Sequence, residues 1–133
     1  MSTDYEGVLA LILAESSITS LLDVYRQPNG TVTVQPLVVV GTIPEEQSGL
    51  PAISIRNQIN AGQYGITESF IELHCYANTE PESRAVAQAC YDFFRDSIGG
   101  VNGFASRFEA TMGTTIPDEN ETNTIVELKL DHR

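Results

Sequence analysis

The stretch from Phe70 to Ile98 constrains the fold most, because it predicts a strand that leads directly into a helix. In the strand, Phe70–Ala77, every second residue is apolar, and side chains two residues apart share one face. Since the strand and the helix each have one apolar face and a short connection, we expect them to pack on each other. The core-facing strand residues are Ile71, Leu73, Cys75 and Ala77.

The helix is predicted to begin after Thr79 and to run from about Glu80 to Ile98. Thr79 can accept a hydrogen bond from the amide of Glu82, and Glu82 can reach back to Thr79, which is the pattern of a capping box. Gly99-Gly100 is predicted to end the helix. The apolar face is formed by Val86, Cys90, Phe93 and Phe94, with Ala85 and Ala89 beside them.

The chain before this unit is predicted to contain one broken helix and several short strands. Tyr5–Leu22 carries a broad apolar stripe that is typical of a helix, with a break near Ser16-Ser17. Val24–Arg26 and Thr31–Val34 flank a turn signal and predict a small hairpin. Leu37–Val40 is expected to be a further short strand.

Leu50–Arg56 predicts a strand with two inward and two outward residues. Ile53 and Ile55 are expected to face the core, and Ser54 and Arg56 to face outward. The residues that follow contain two glycines and predict a hairpin tip or arm, which leads into the Phe70 strand. We therefore expect these two strands to form an antiparallel pair.

Two strands are predicted after the helix, at 107–116 and Thr124–Asp131, and they are expected to form a hairpin. The glycine-rich residues 99–103 are interpreted as a flexible break. Residues 1–133 thus predict a single α+β domain, with a mainly antiparallel sheet, one long helix and an N-terminal helix packed on it. Extended polar connections, which can serve as arms in an assembly, are predicted at 27–36, 41–50, 57–67 and 113–123.

The charge of the chain disfavours tight binding to nucleic acid. Eighteen acidic and seven basic residues give a net charge of −11, which repels phosphate, and the basic residues are scattered. No apolar run approaches the roughly 20 residues that span a bilayer. The acidic residues Asp4 and Glu6 lie where a signal peptide would be basic. We therefore expect a soluble protein that is made or assembled inside a cell.

Few residues indicate catalysis, and no catalytic residue, cofactor or metal site is predicted. His74 and Cys75 point to opposite faces of a strand and cannot share one metal ion. Cys75 and Cys90 are expected to be reduced core thiols on adjacent elements. The acidic residues of the polar loops are interpreted as solvated: Glu45, Glu46, Asp118, Glu119 and Glu121.

The outward face of the Phe70 strand is more aromatic than a solvated face requires. Either a second helix covers it, or a neighbouring subunit does, because subunit interfaces are enriched in aromatic residues. The residues predicted to form a subunit interface include two at the hairpin tip: Phe70, Glu72, His74, Tyr76, Gln63 and Tyr64.

Several of these stretches resemble one protein family, the tail completion proteins of long-tailed phages, which are also called tail terminator or head–tail joining proteins. The family pattern is a helix, then a Leu-Pro-Ala sequence that begins a strand, then a Cys-Tyr-Ala strand end that runs into an alanine-rich helix. The chain departs from it by an extra stretch between Arg26 and Ile43, residues 27–42. The similarity lies in Leu9–Leu22, Val24-Tyr25, Ile43–Glu45, Leu50–Ile55 and Ile71–Ala87.

The resemblance implies a structural virion protein that is assembled in the host cytoplasm. Such proteins form a ring, commonly hexameric, that caps the tail tube and joins it to the neck of the filled head. The implied partners are further copies of this chain, the tail tube protein and the head–tail connector, with no membrane and no cofactor. DNA would pass through without being specifically bound, and an acidic lumen wall would repel its phosphates.

Three alternatives remain open at the level of sequence. A head completion or neck protein would also be small, multimeric and without catalytic activity. A small binding module would recognise another protein without forming a closed ring. An enzyme would require a cleft in which Glu72 or His74 has a strongly shifted pKa.

Overall fold

The computed structural model describes residues 4–26, 31–41, 43, 50–63, 66–95, 98–101, 104–117 and 121–132. These residues form three helices and eight strands. In chain order they are α1 (Asp4–Leu13), α2 (Ser16–Thr19), β1 (Val24–Arg26), β2 (Val32–Pro36), β3 (Val38–Val40), β4 (Ala52–Gln63), β5 (Ile66–Ala77), α3 (Glu80–Phe94), β6 (Ile98–Val101), β7 (Phe104–Pro117) and β8 (Thr122–His132).

Six of the described strands form one sheet, in the order β3-β4-β5-β8-β7-β6, while β1 and β2 form a separate hairpin. The pair β3–β4 is parallel, and every other pair in the sheet is antiparallel. The expectation of an α+β fold with a mainly antiparallel sheet and one long helix is therefore confirmed. The predicted hairpins β1–β2, β4–β5 and β7–β8 are confirmed as well.

One face of the sheet, which we call the inner face, packs against the three described helices. It carries the alternate residues of β5 that were predicted to face the core, and each of them is buried. Burying an aliphatic side chain of this size contributes about 1.5–3 kcal/mol, so this face is the main apolar contribution to folding. The core between this face and the helices includes these fully buried residues: Val8, Ile12, Ile18, Ile53, Ile55, Leu73, Phe94 and Phe108.

Buried hydroxyl groups connect α3 to the sheet. The Ser83 Oγ lies 2.8 Å from the Cys75 carbonyl oxygen and 2.7 Å from the Thr124 Oγ1. The Thr115 Oγ1 lies 3.1 Å from the Thr124 Oγ1. One consistent assignment has Thr115 donating to Thr124, Thr124 to Ser83, and Ser83 to the carbonyl. Each buried hydroxyl thereby has a partner, which avoids the cost of an unpaired polar group.

The predicted capping box begins α3. Thr79 has extended backbone angles, φ −128° and ψ 157°, and its side chain accepts a hydrogen bond from the amide of Glu82 at 3.4 Å. In the opposite direction the Thr79 hydroxyl donates to the Glu82 carboxylate at 3.0 Å. The predicted cap of the Glu82 amide is therefore confirmed, while Glu82 reaches back to the Thr79 hydroxyl rather than to the backbone N–H of a standard capping box.

The predicted end of this helix is wrong. α3 ends at Phe94, because Arg95 adopts extended angles, φ −61° and ψ 124°, while its amide donates to the Tyr91 carbonyl. Gly99 and Gly100 lie in β6, where they pair with Ser106 and Ala105 of β7. The backbone N–H and C=O groups of these glycines are bonded across the sheet. This pairing with a distant strand outweighs the local tendency of Gly-Gly to end a helix and begin a loop.

The N-terminal helix is interrupted where the sequence predicts it. α1 ends at Leu13 and α2 begins at Ser16. The capping residue of α2 is Glu15 rather than a serine, since its carboxylate accepts from the amide of Ser17 at 3.3 Å and from the Ser17 hydroxyl at 2.9 Å.

Three of the four predicted polar connections are shorter than expected, and most of the fourth, 41–50, lies outside the described residues. Strand β2 includes residues 32–36, β4 and β5 include 57–63 and 66–67, and β7 includes 113–117. These segments alternate weakly in polarity, but each pairs with a neighbouring strand over part of its length. Hydrogen bonding across strands, which local composition does not encode, extends the sheet into them.

A bulge interrupts the pairing of β7 with β8. The register shifts between Met112 and Thr115, which pair with Val126 and Thr124. A Cβ atom at Gly113 would lie 2.6 Å from the Ile125 carbonyl oxygen, so a side chain cannot be added without moving the backbone. Glycine is the residue that allows this close approach.

The two cysteines are free and buried, as predicted. The pKa of the Cys75 thiol is raised well above its ordinary value, by a hydrogen bond with Cys90, by burial and by the like charge of Cys90. Both cysteines are buried in the core between β5 and α3, and the Cys75 Sγ lies 3.9 Å from the Leu73 carbonyl oxygen.

Candidate functional site: the outer face of the sheet

The opposite side of the sheet, which we call the outer face, carries the predicted interface residues of β5. None of the three described helices covers it, since the buried residues of those helices belong to the core on the inner face. For the described part of the chain, the expectation that a second helix covers this face is therefore wrong. The β5 residues that it carries are Phe70, Glu72, His74 and Tyr76.

The strand register places the outer-face residues in rows, each row being a set of residues paired across neighbouring strands. Because side chains alternate between faces, residues paired across an antiparallel ladder lie on the same side of the sheet. The register therefore determines which polar groups meet. Three adjacent rows are Ala52–Tyr76–Asn123, Ser54–His74–Ile125 and Arg56–Glu72–Glu127.

His74 lies at the centre of this face and is only 8% exposed. Its Nδ1 is 2.9 Å from the Asn123 Nδ2, and its Nε2 is 3.0 Å from the Glu72 Oε1. Since the Asn123 amide nitrogen can only donate, Nδ1 accepts and Nε2 carries the proton that is donated to Glu72. Both ring nitrogens are occupied by protein partners, so this histidine is fixed in orientation.

Arg56 and Tyr76 form a second part of the same cluster. The Arg56 guanidinium carbon lies 5.4 Å from the centre of the Tyr76 ring, which is a cation–π arrangement. The Arg56 Nε donates to the Ser54 Oγ at 2.6 Å, and the Ser54 hydroxyl donates to the Gly41 carbonyl. The His74 and Tyr76 rings are stacked, with centres 6.3 Å apart. Together these contacts make a continuous polar and aromatic surface.

Opposing charges act on the Tyr76 phenol. Burial raises its pKa, and the negative charge of Glu121 raises it further, while the charge and hydrogen bond of Arg56 act in the opposite direction. The net shift is upward from the ordinary value of 10.0, so the ring stays neutral at physiological pH. A neutral phenol can donate a hydrogen bond, and its ring presents an aromatic face to the Arg56 guanidinium.

Exposed apolar side chains border the cluster. Phe70 is 41% exposed on β5, and Ile116 is 49% exposed on β7. The register pairs Ile116 with Asn123, which is itself paired with Tyr76, so Ile116 lies on the outer face. The face thus combines a fixed polar centre with exposed apolar residues at its margin.

The structure brings three of the predicted residues into contact, and the other predicted residues lie apart from them or outside the described part of the chain. Glu72, His74 and Tyr76 form one contact cluster, and Phe70 lies at its edge. Glu121 is half-buried close to Tyr76 rather than in an open loop. Gln63 ends β4 and is described by its backbone alone. The predicted residues that lie outside the described part of the chain are Tyr64, Glu45, Glu46, Asp118 and Glu119.

Sequence reasoning missed three members of the cluster, namely Arg56, Ser54 and Asn123. Ser54 was predicted to face outward, and it does lie on the outer side of β4, where it is fully buried and bonded to the Gly41 carbonyl and the Arg56 side chain. The alternation of β4, combined with its predicted antiparallel pairing to β5, was the signal that could have grouped Arg56 with Glu72.

The described residues give no indication of a metal centre or a membrane span. Among them, no group of three or more His, Cys, Asp or Glu side chains could hold a metal ion. None of the described helices is both long and apolar enough to cross a membrane.

In comparisons with known proteins, no family model and no curated protein matches this sequence.

Proposed function

We propose that this protein is a structural virion protein of the tail completion type. It forms a ring, hexameric in the proposal, that caps the tail tube of a long-tailed phage and joins it to the neck of the filled head. The observation that carries the proposal is the outer face, an ordered aromatic and charged surface that no described helix covers. The resemblance of the Ile71–Ala87 stretch to tail completion proteins supplies the biological context.

The composition of the outer face supports a role in protein contact. Interfaces are enriched in Tyr, Phe and Arg relative to the rest of a protein surface. Here Tyr76 and Arg56 are already held against each other, and Phe70 is exposed beside them. A surface whose side chains are fixed before binding loses little conformational entropy when a partner covers it.

The hydrogen bonding of the cluster supports the same role over catalysis. Both nitrogens of His74 are engaged, and the Arg56 Nε donates to Ser54. A general base needs a lone pair that reaches a substrate proton. In this cluster the candidate groups instead satisfy one another, which stabilises the face as a rigid platform.

The net charge of −11 agrees with a ring through which DNA passes. An acidic lumen wall repels phosphate groups and so avoids retaining the DNA during ejection. In this proposal the partners are copies of the same chain, the tail tube protein and the connector at the neck.

Imaging with and without tail tubes tests the proposal. We expect negative-stain electron microscopy to show closed rings at one end of each tube when the purified chain is mixed with tail tube protein. Particles from an infection that lacks the chain should have overlong or unjoined tails. A chain that remains a monomer or dimer in the presence of tubes would contradict the proposal, and leaking heads with normal tails would indicate a head completion role.

A matched pair of variants tests whether the outer face is responsible. Phe70→Ser removes an apolar side chain from this face, while Leu21→Ser removes one of similar exposure, 40% against 41%, that lies elsewhere. We expect Phe70→Ser to abolish binding to tube ends, because it removes an aromatic interface contact, and Leu21→Ser to retain it. Equal loss in both variants would exclude a specific role for the outer face.

A further inference from the structure

We propose that neighbouring copies in the assembly join through the edges of their sheets, with β3 of one copy pairing against the unpaired part of β7 in the next. The six-stranded sheet would then continue from copy to copy. This inference rests on the proposed ring, and it specifies which surfaces connect the subunits.

The first of these edges belongs to β7. This strand spans Phe104–Pro117, but β6 pairs with it only from Phe104 to Arg107. Beyond that point, β8 is the only described strand that pairs with β7, and it lies on the other side. Within the described part of the chain, β7 is therefore an edge strand from Phe108 onward, and its outward N–H and C=O groups can accept a further strand.

The second edge is β3, at the opposite side of the sheet. Val38–Val40 pairs in parallel with β4, through Val38 to Ile53 and Val40 to Ile55. Among the described strands, β4 is the only partner of β3. The described sheet therefore has two edges at which a further strand could pair, one on each side of the sheet, and the β3 edge is the shorter of the two.

The two edges are at the same height in the sheet. One row of paired residues runs across five strands on the inner face. Val40 is at one end of this row and is 44% exposed, and Met112 is at the other end and is 37% exposed. These two residues would be brought together if a second copy continued the row without a shift along the strands. The row is Val40–Ile55–Leu73–Val126–Met112.

The strand directions also match. Strand β3 is parallel to β4, and β4, β5, β8 and β7 alternate in direction, so β7 is antiparallel to β3. A β3 strand from a second copy, placed beside β7 in the same orientation, would run antiparallel to it, which is the more stable direction of pairing. In this register Val38–Val40 lies opposite the bulged stretch from Met112 to Thr115, so Val40 and Met112 form the regular part of the contact. The two edges are different surfaces, so the contact is heterologous and generates a ring when the rotation between copies closes.

The length of β3 limits the strength of a single contact. A strand of three residues supplies a short ladder, so one edge contact is weak and a closed ring of several such contacts is much stronger than any one of them. The interface therefore predicts that rings form cooperatively, with few open dimers or trimers at intermediate concentration.

Cysteine cross-linking between two different variants tests the pairing. Val40→Cys chains are mixed with Met112→Cys chains and oxidised with copper phenanthroline, which accepts the two electrons as two thiols form one disulfide and release two protons. The native cysteines are fully buried and do not compete. We expect a covalent dimer in the mixture and at least about tenfold less in either variant alone, because each edge meets only the other edge.

Ile116→Cys provides the matched control for Met112→Cys. It lies on the same strand and is also exposed, but the register places it on the outer face. Mixed with Val40→Cys, it should cross-link at least about tenfold less than Met112→Cys does, because it points away from the row that contains Val40.

The outcomes separate this inference from the proposed function. If wild-type rings form on tubes but Val40→Cys cross-links equally with Met112→Cys and Ile116→Cys, the edge pairing is wrong and the ring function stands. If no rings form while the Val40–Met112 cross-link does, the edge pairing stands and the proposed function is wrong. Circular dichroism of each variant confirms that the chains compared are folded.

Discussion

The two faces of the central sheet are made from alternate residues of the same strands, but they differ in composition and in whether the described helices cover them. On β5, Leu73 is fully buried beneath the helices, while its neighbours Glu72 and His74 form a hydrogen-bonded cluster on the opposite side. The inner face is apolar and covered by the helices of the chain itself. The outer face is polar and aromatic, and no described helix covers it.

The inner face holds the apolar core, whereas the outer face is the one to which the proposed function gives the contacts with other proteins. Residues of the inner face contribute apolar burial, which is the main favourable term in folding. Several polar groups of the outer face bond to one another, and its side chains contribute less apolar burial to the stability of the isolated chain. Substitutions one residue apart should therefore have separable effects, and the following experiments test that separation.

The largest expected effect is on the inner face. Leu73→Ala leaves a cavity beneath the helices and should lower the free energy of unfolding by about 2–5 kcal/mol. Urea denaturation followed by circular dichroism measures this change. Leu21→Ala, at a site that is 40% exposed, is the control and should lose less than about 1 kcal/mol. Similar losses at both sites would contradict the assignment of the inner face as the core.

Removing the Ser83 hydroxyl should have the next largest effect. Ser83→Ala breaks two buried hydrogen bonds between α3 and the sheet, and unpaired buried groups cost about 1–3 kcal/mol. The double variant Ser83→Ala with Thr124→Val removes donor and acceptor together, so its loss should be smaller than the sum of the two single losses. Strict additivity in urea denaturation would indicate that the hydroxyls do not act as a pair.

The thiol pair of the inner face predicts a loss of stability at alkaline pH. The pKa of Cys75 is raised in the folded chain, so above its ordinary value of 9.0 the unfolded chain loses a proton that the folded chain keeps. The contribution is complete below pH 9.0 and declines above it, by at most about 1.4 kcal/mol per pH unit. Melting temperatures from pH 8 to 10.5 should fall more steeply in the wild type than in Cys75→Ala. Equal slopes would refute this cause.

The smallest effect on stability is expected on the outer face. Phe70→Ala removes a side chain that is 41% exposed, so the free energy of unfolding should change by no more than about 0.5 kcal/mol. The same variant should fail to bind tube ends, as measured by co-sedimentation with tail tubes. A variant that unfolds more easily and still binds would reverse the roles assigned to the two faces.

Local sequence patterns were sufficient to predict the inner face and most of the elements. The alternation in β5, the capping box at Thr79 and the break between α1 and α2 each depend on residues within a few positions of one another. The predicted end of the helix was wrong because Gly99 and Gly100 become a strand only by pairing with β7. The parallel β3–β4 pair likewise depends on residues distant in sequence.

The candidate site was predictable only where it depends on a local pattern within one strand. Its β5 residues, Glu72, His74 and Tyr76, follow from alternation along one strand. Their partners Arg56 and Asn123 come from strands on either side, so the cluster depends on register, which a one-residue slip would change completely. The sequence predicts which residues lie on a face more readily than it predicts which of them touch.

The bulge at Gly113 has a consequence for the solubility of the free chain. An open strand edge can recruit identical edges into fibrils, which require flat, uninterrupted ladders. The register shift beside Gly113 bends β7 within its exposed stretch, and the close approach to the Ile125 carbonyl excludes the side chains that could replace this glycine without moving the backbone. Two β7 edges bent in this way make poorer partners for each other than two flat edges would, which disfavours fibril-like stacking of β7 on β7.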